Sequence, residues 1–140
     1  METSDIKYAG TDANVYVDIF GHHKNTGKIE LKSSRTNKNK FEQGKIDYFE
    51  ITGVDVGEIE KLRIGHDNSG LGAAWHLKEV VVELPNRQKI YFPSNQWFDK
   101  KGEDGKIERD LFTVDYLHEV TEKSHNIDLR DSIGSRNYTF

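Results

Sequence analysis

The chain contains no cysteine. That excludes disulfide staples, thiol catalysis and thiolate zinc sites together, and it fits the cytoplasmic location expected of the protein. No run of about 18 apolar residues is present and no basic-then-apolar leader opens the sequence, so neither a spanning helix nor a signal peptide is expected. An excess of positive charge is also lacking: the net charge is −4, and no dense Lys/Arg block with interleaved aromatics sits on a recognisable reading element. Nucleic acid is therefore not an expected partner. Apolar residues make up 34% of the chain against 31% charged, and the mean hydropathy is −0.79. A solvated domain with a small core follows, and 140 residues suffice for one unit that folds without staples.

What the chain does have is strand alternation, and its most informative stretch runs from Leu62 to Leu77. Leu62 and Ile64 alternate with Arg63, while Trp75 and Leu77 lead into the run Val80, Val81, Val82, so two strands meet through a glycine-rich polar turn. His66, Asp67 and Asn68 stand at the strand end, followed by Ser69, Gly70, Leu71 and Gly72. Carboxylate and amide oxygens are thereby placed at the tip of a sandwich, where loops of both sheets meet, and we read them as a ligand-facing rim.

Upstream, Val15, Val17 and Ile19 form a strand ending at Gly21, joined through a His22 to Gly27 loop to a return strand at Lys28 to Lys32. Ser33 to Lys40 is a polar loop pinned to the core by Phe41, and Lys45 to Ile51 alternates as a strand. Val54 to Lys61 reads as an irregular turn. Downstream, Pro85 and Asn86 turn the Val80 to Leu84 strand into Lys89 to Pro93, with the proline marking a strand end and a loop starting at Asn95. A last strand is expected at Leu111 to Val114. Met1 to Lys7 lacks the alternation of a strand, and Asp115 to Phe140 reads as a linker or tail in which Tyr116, Leu117 and Val120 make a helical turn. Strands separated by turns, with no strong helical segment, describe an antiparallel all-β sandwich or barrel.

Four blocks in this order resemble the PLAT, or lipoxygenase-homology, domain: Ala9 to Val17, Asn39 to Gly44, Arg63 to Trp75 and Phe92 to Trp97. The resemblance covers about Lys7 to Val114. It implies an eight-stranded sandwich of two four-stranded sheets, with residues 1–114 forming the domain and 115–140 a linker, tail or start of a following repeat. The family's first strand is largely missing here or replaced. Asn137 to Phe140 would suit the opening of a first strand, so this segment is expected to fill the lost edge, in the same molecule or by strand exchange with a neighbour.

The resemblance also implies a calcium site at the loop end, with Thr11 and Asp12 from the first loop and Asn39 and Glu42 from the second. Asp67 and Asn68 join them on the reading of the central loop, because a hard cation takes several oxygens from residues distant in sequence. Ala13, Lys40 and Ala74 stand where calcium-binding members often carry acids, so the expected site is weak. The plain alternative has Asp12 and Asn39 capping turns and Glu42 solvated. The second implied role is peripheral attachment to membrane lipid or a membrane-associated protein. Trp97 matches a contact position there, and Tyr8 and Leu71 serve beside Lys7 and Gly70, which replace tryptophans. The rival is a calcium-independent protein-interaction repeat of a tandem array.

Catalysis is not expected. His66, Asp67 and Ser69 are residue types of a hydrolase triad, but near-consecutive residues rarely reach its geometry, and no nucleophile elbow is present. His22 and His23 project to opposite faces if extended, which suits solvent better than a shared metal.

Overall fold

The computed structural model describes residues 1–113 and 134–140. Nine strands follow one another: β1 (Glu2–Thr3), β2 (Val15–Phe20), β3 (Ile29–Glu30), β4 (Glu50–Val54), β5 (Lys61–His66), β6 (Trp75–Glu83), β7 (Lys89–Phe98), β8 (Glu108–Leu111) and β9 (Ser135–Thr139). All pairings are antiparallel, and they build two sheets. The expected all-β sandwich is present, with five and four strands where two sets of four were expected.

The four-stranded sheet runs β3-β2-β5-β8. Its centre is the six-residue register from Val15 opposite His66 to Phe20 opposite Lys61. Alternation fixes that register, since Val15, Val17, Ile19, Leu62 and Ile64 are all buried, and a one-residue slip would expose them. In the β2–β3 hairpin the buried Asp18 carboxylate accepts hydrogen bonds from Asn25 Nδ2 at 2.9 Å and Gly27 N at 3.1 Å. The outer face carries charge: Arg63 Nε lies 2.7 Å and Lys61 Nζ 3.1 Å from Asp110.

In the five-stranded sheet β6 pairs along one edge with β7 and along the other with β1 near Leu77 and with β9 at Glu83. β9 pairs in turn with β4 from Ser135 opposite Val54 to Thr139 opposite Glu50. Five expectations change. Glu2–Thr3, in a segment without strand alternation, forms β1, and the strand expected at Lys45 to Ile51 lies at Glu50–Val54. β7 does not stop at Pro93 but continues to Phe98: it is an edge strand, where the missing proline N–H is tolerated, and one extra residue of β7 bulges between Pro93, opposite Glu79, and Gln96, opposite Leu77. The last strand before the undescribed segment is β8, which ends at Leu111 and leaves Phe112 and Thr113 outside it; Val114 lies outside the described residues. Finally, a boundary after residue 114 leaves out Ser135–Thr139, which lie inside the sheet with Tyr138 fully buried. The expected helical turn at Tyr116, Leu117 and Val120 lies outside the described residues.

An aromatic chain fills the core at one end. The Trp75 ring lies 5.4 Å from Phe41 and 5.5 Å from Phe98, and Phe41 stacks on Phe49 at 5.4 Å. Phe41 thus pins the polar second loop as expected, at a left-handed φ of 62°. Where β2 ends, the chain passes so close to Val56 that a Cβ on Gly21 would lie 1.9 Å from the Val56 carbonyl oxygen. Backbone cannot yield there as a side chain could. Gly21→Ala is therefore expected to lower unfolding free energy by about 1–3 kcal/mol. Urea denaturation checks this, and an unchanged midpoint would show that the approach carries no such constraint.

Candidate functional site

Three loops meet at the end of the sandwich where β2, β6 and the second loop converge, and Thr11 ties them together. Its backbone N donates to Phe41 O at 3.0 Å, its hydroxyl donates to Ala73 O at 2.6 Å, and the same oxygen accepts from Ala13 N at 3.1 Å. Thr11 is buried, so its hydroxyl is committed to holding loops. Gly10 allows this approach, since a Cβ there would lie 2.9 Å from Phe41 O and 3.2 Å from Glu42 Cα. Three of the five non-glycine residues with positive φ, Tyr8, Phe41 and Asn68, lie in the loops of this end, while Asn95 lies at the bulge within β7.

Asp67 is likewise committed. Its Oδ1 accepts from Asn14 N at 3.1 Å, Ser69 N at 3.0 Å and Ser69 Oγ at 2.6 Å, and its Oδ2 accepts from Asn14 Nδ2 at 2.8 Å. These bonds, that from Ser69 Oγ first, hold the carboxyl well below the usual aspartate range. Asn14 and Ser69, both inside matched blocks, are the partners that hold Asp67, and the sequence marks neither as its partner. Asn68 is exposed, and its backbone N donates to His66 Nδ1 at 3.0 Å.

Asp12, Asn39 and Glu42 are exposed, and their side chains make no hydrogen bond or ion pair among the described residues. Lys40 bridges to neither acid; its ammonium stands 6.0 Å from the Phe41 ring. The six oxygen donors named from sequence thus divide into two committed side chains, Thr11 and Asp67, and four exposed ones. No group of three or more His, Asp or Glu is placed to hold a metal among the described residues.

The three residues expected to make the contact are exposed: Tyr8 by 76%, Leu71 by 88% and Trp97 by 37%. Trp97 packs edge-on against His76 at 5.0 Å. A groove lined by Tyr8, His76, Trp97, Glu103, Asp104 and Arg109 joins two of them. His76 Nδ1 lies 2.6 Å from Ser4 Oγ, and burial pushes the ring's pKa down. Trp75 is core, as expected. His66 has both ring nitrogens engaged, Nε2 with Phe98 O at 2.8 Å and Nδ1 with Asn68 N, so its ring does not serve Ser69. His22 and His23 touch each other edge-on at 4.3 Å, and His22 Nδ1 lies 3.1 Å from Glu60.

The depressed Asp67 pKa has a defined pH signature. A lowered carboxyl pKa contributes stability above the unfolded value, about 4, and that contribution is lost as the pH falls toward the folded value. Asp67→Asn is therefore expected to lower the urea midpoint at neutral pH and to differ less from the parent at about pH 3. A difference that stays constant with pH would show that the carboxylate charge does not hold these loops.

The PLAT/LH2 domain profile matches residues 1–112. The chain is 45% identical over 113 residues to mouse lipoxygenase homology domain-containing protein 1, covering 80% of this chain and 6% of that protein. It is 31% identical over 110 residues to human polycystin-1, covering 76% of this chain and 2% of that protein. Its fold superimposes on the crystal structure of coral 8R-lipoxygenase, described as calcium-activated through a C2-like domain, with a TM-score of 0.67. That match is 26% identical and covers 80% of this chain and 16% of the enzyme. The chain therefore spans only a small part of the relatives it matches. With the profile covering residues 1–112 and the sandwich in place, the chain belongs to the PLAT/LH2 domain family.

Proposed function

We propose that this chain is a non-catalytic targeting module whose loop end binds calcium weakly and then meets membrane lipid or a membrane-associated protein. The observation that carries the reading is the joint exposure of Tyr8, Leu71 and Trp97, together with the uncommitted carboxylates of Asp12, which lies against Gly70, and Glu42, which lies against Gly10. Exposed apolar side chains flanked by acids suit an interface that a cation must first neutralise. Asn39, Asn68 and backbone carbonyls would add oxygens, and the ion would screen the acids from an anionic surface. The calcium activation described for the coral enzyme's C2-like domain supports the same reading.

The absence of a three-acid cluster among the described residues favours the second reading, a calcium-independent interaction repeat. Calorimetric titration separates them. Saturable calcium heat is expected for the parent, with affinity lowered about tenfold or more in Asp12→Asn or Glu42→Gln, since each removes a charged ligand. No heat at millimolar calcium would retire the ion and leave the second reading.

Lipid contact is checked by sedimentation with phosphatidylserine-containing vesicles. Calcium is expected to increase the bound fraction, and Trp97→Ala or Leu71→Ala to weaken it about tenfold, as loss of one buried apolar side chain would. Equal sedimentation of parent and variants would remove these residues from the contact.

A further inference from the structure

One strand position of the five-stranded sheet is filled by two separate segments of the chain. Between β4 and β6, β9 ends as Phe140 exchanges backbone hydrogen bonds with Phe49, at 2.9 and 3.2 Å. The same lane resumes at Met1, whose carbonyl accepts from Asp47 N at 2.9 Å, and continues with Glu2 bridged to Ile46 and Thr3 N donating to Lys45 O at 3.1 Å. Following the antiparallel register from Phe49 to Asp47 leaves one residue position, opposite Tyr48, between Phe140 and Met1. The β6 side agrees, with Thr139 opposite Glu83 and Glu2 opposite Glu79. The lane is therefore broken by one residue, and a hollow lined by Met1, Tyr48, Val81 and Phe140 marks the break.

We propose that β9 is an exchangeable strand, and that the partner it fits is a second copy of this chain. Everything that seats β9 belongs to the slot. Tyr138 is fully buried and its hydroxyl donates to Val54 O at 2.8 Å; Arg136 donates to Gly57 O at 2.7 Å and pairs with Asp55 at 3.1 Å; Thr52 bonds Asn137 at 2.8 Å. Every copy offers the same slot and the same strand, so exchange between two copies restores each of these contacts. The twenty residues 114–133 lie between the two parts in sequence and can span at most about 70 Å, which allows either seating. The difference between closed and exchanged forms then reduces to tether and concentration, and exchange competes at protein concentrations near the millimolar effective concentration of a tethered strand. This inference does not depend on calcium or lipid.

The lack of cysteine gives a clean test. Thr52 and Asn137 face each other across β4 and β9, at a separation that suits a disulfide. Chains of residues 1–140 carrying Thr52→Cys alone and Asn137→Cys alone are mixed in denaturant, refolded together at about 1 mM and oxidised. The expected product is a Thr52→Cys/Asn137→Cys heterodimer in about tenfold excess over either homodimer, because docking sets the local thiol concentration. The chain carrying both substitutions, refolded at micromolar concentration, is expected to close its disulfide internally. Internal closure in the double variant with no heterodimer in the mixture would show that β9 stays in its own slot and would overturn the proposal. Failure of the double variant to close at all would overturn the β4–β9 pairing on which it rests.

Discussion

The loop end of this sandwich depends on one buried side chain. The Trp75 indole is wholly enclosed, packed between Phe41 and Phe98, and its Nε1 donates to Thr3 Oγ1 at 3.0 Å. A Trp N–H without a partner in such a place would cost about 1–3 kcal/mol, so the hydroxyl of Thr3 is what makes the position tenable. In meeting that demand Trp75 joins three parts of the chain: β6, on which it sits; the second loop, through Phe41; and β1, through Thr3. Two residues make a very short strand, yet β1 is fastened by this side-chain bond as well as by its ladder.

From that anchor the rim is built by hydrogen bonds more than by apolar contact. Phe41, held at a positive φ against Trp75, presents its carbonyl to Thr11 and donates its own N–H to the buried Asp47 carboxylate at 2.8 Å. Asp47 also accepts from Asn37 Nδ2 at 3.1 Å. A loop of polar residues is thus tied to a sheet by one aromatic ring and one buried acid. The charge of that acid is met by donors on the loop it organises, which is the condition for burying it.

Legibility in the sequence followed the range of the interactions. β2 and β5 were readable because five inward residues alternate over two uninterrupted segments, and Trp75 and Phe41 were readable as core because large aromatics flank polar turns. The continuation of β7 past Pro93 was not, since it depends on β7 lying at the sheet edge and bulging against β6, which pairing decides and local alternation does not show. β1 is harder still, since a two-residue strand has no period. β9 was legible in part: Asn137 to Phe140 fits a first strand and does fill the sheet, while its register is set by residues some 80 positions away. At the site, the loops that would meet were legible from the matched blocks. Which side chains would be consumed in joining them was not. Thr11 and Asp67 look like oxygen donors in one dimension and prove to be struts in three, because Ala73, Asn14 and Ser69 reach them first.

That division between struts and uncommitted groups bears on the proposed ion. Drawing Asp67 into a calcium shell would exchange hydrogen bonds from Asn14 and Ser69 for one metal oxygen contact, and would loosen the first loop from the third. A cation at this rim is better served by leaving Asp67 in place and using Asp12 and Glu42, whose carboxylates have no bond to surrender among the described residues. Two carboxylates provide less charge than many calcium sites use, so affinity would rest on how firmly the loops are held in advance. The fixed loops are a consequence of the committed side chains. On this argument Thr11 and Asp67 act on the ion through position, and the weakness expected of the site comes from the small number of acids left free to touch it.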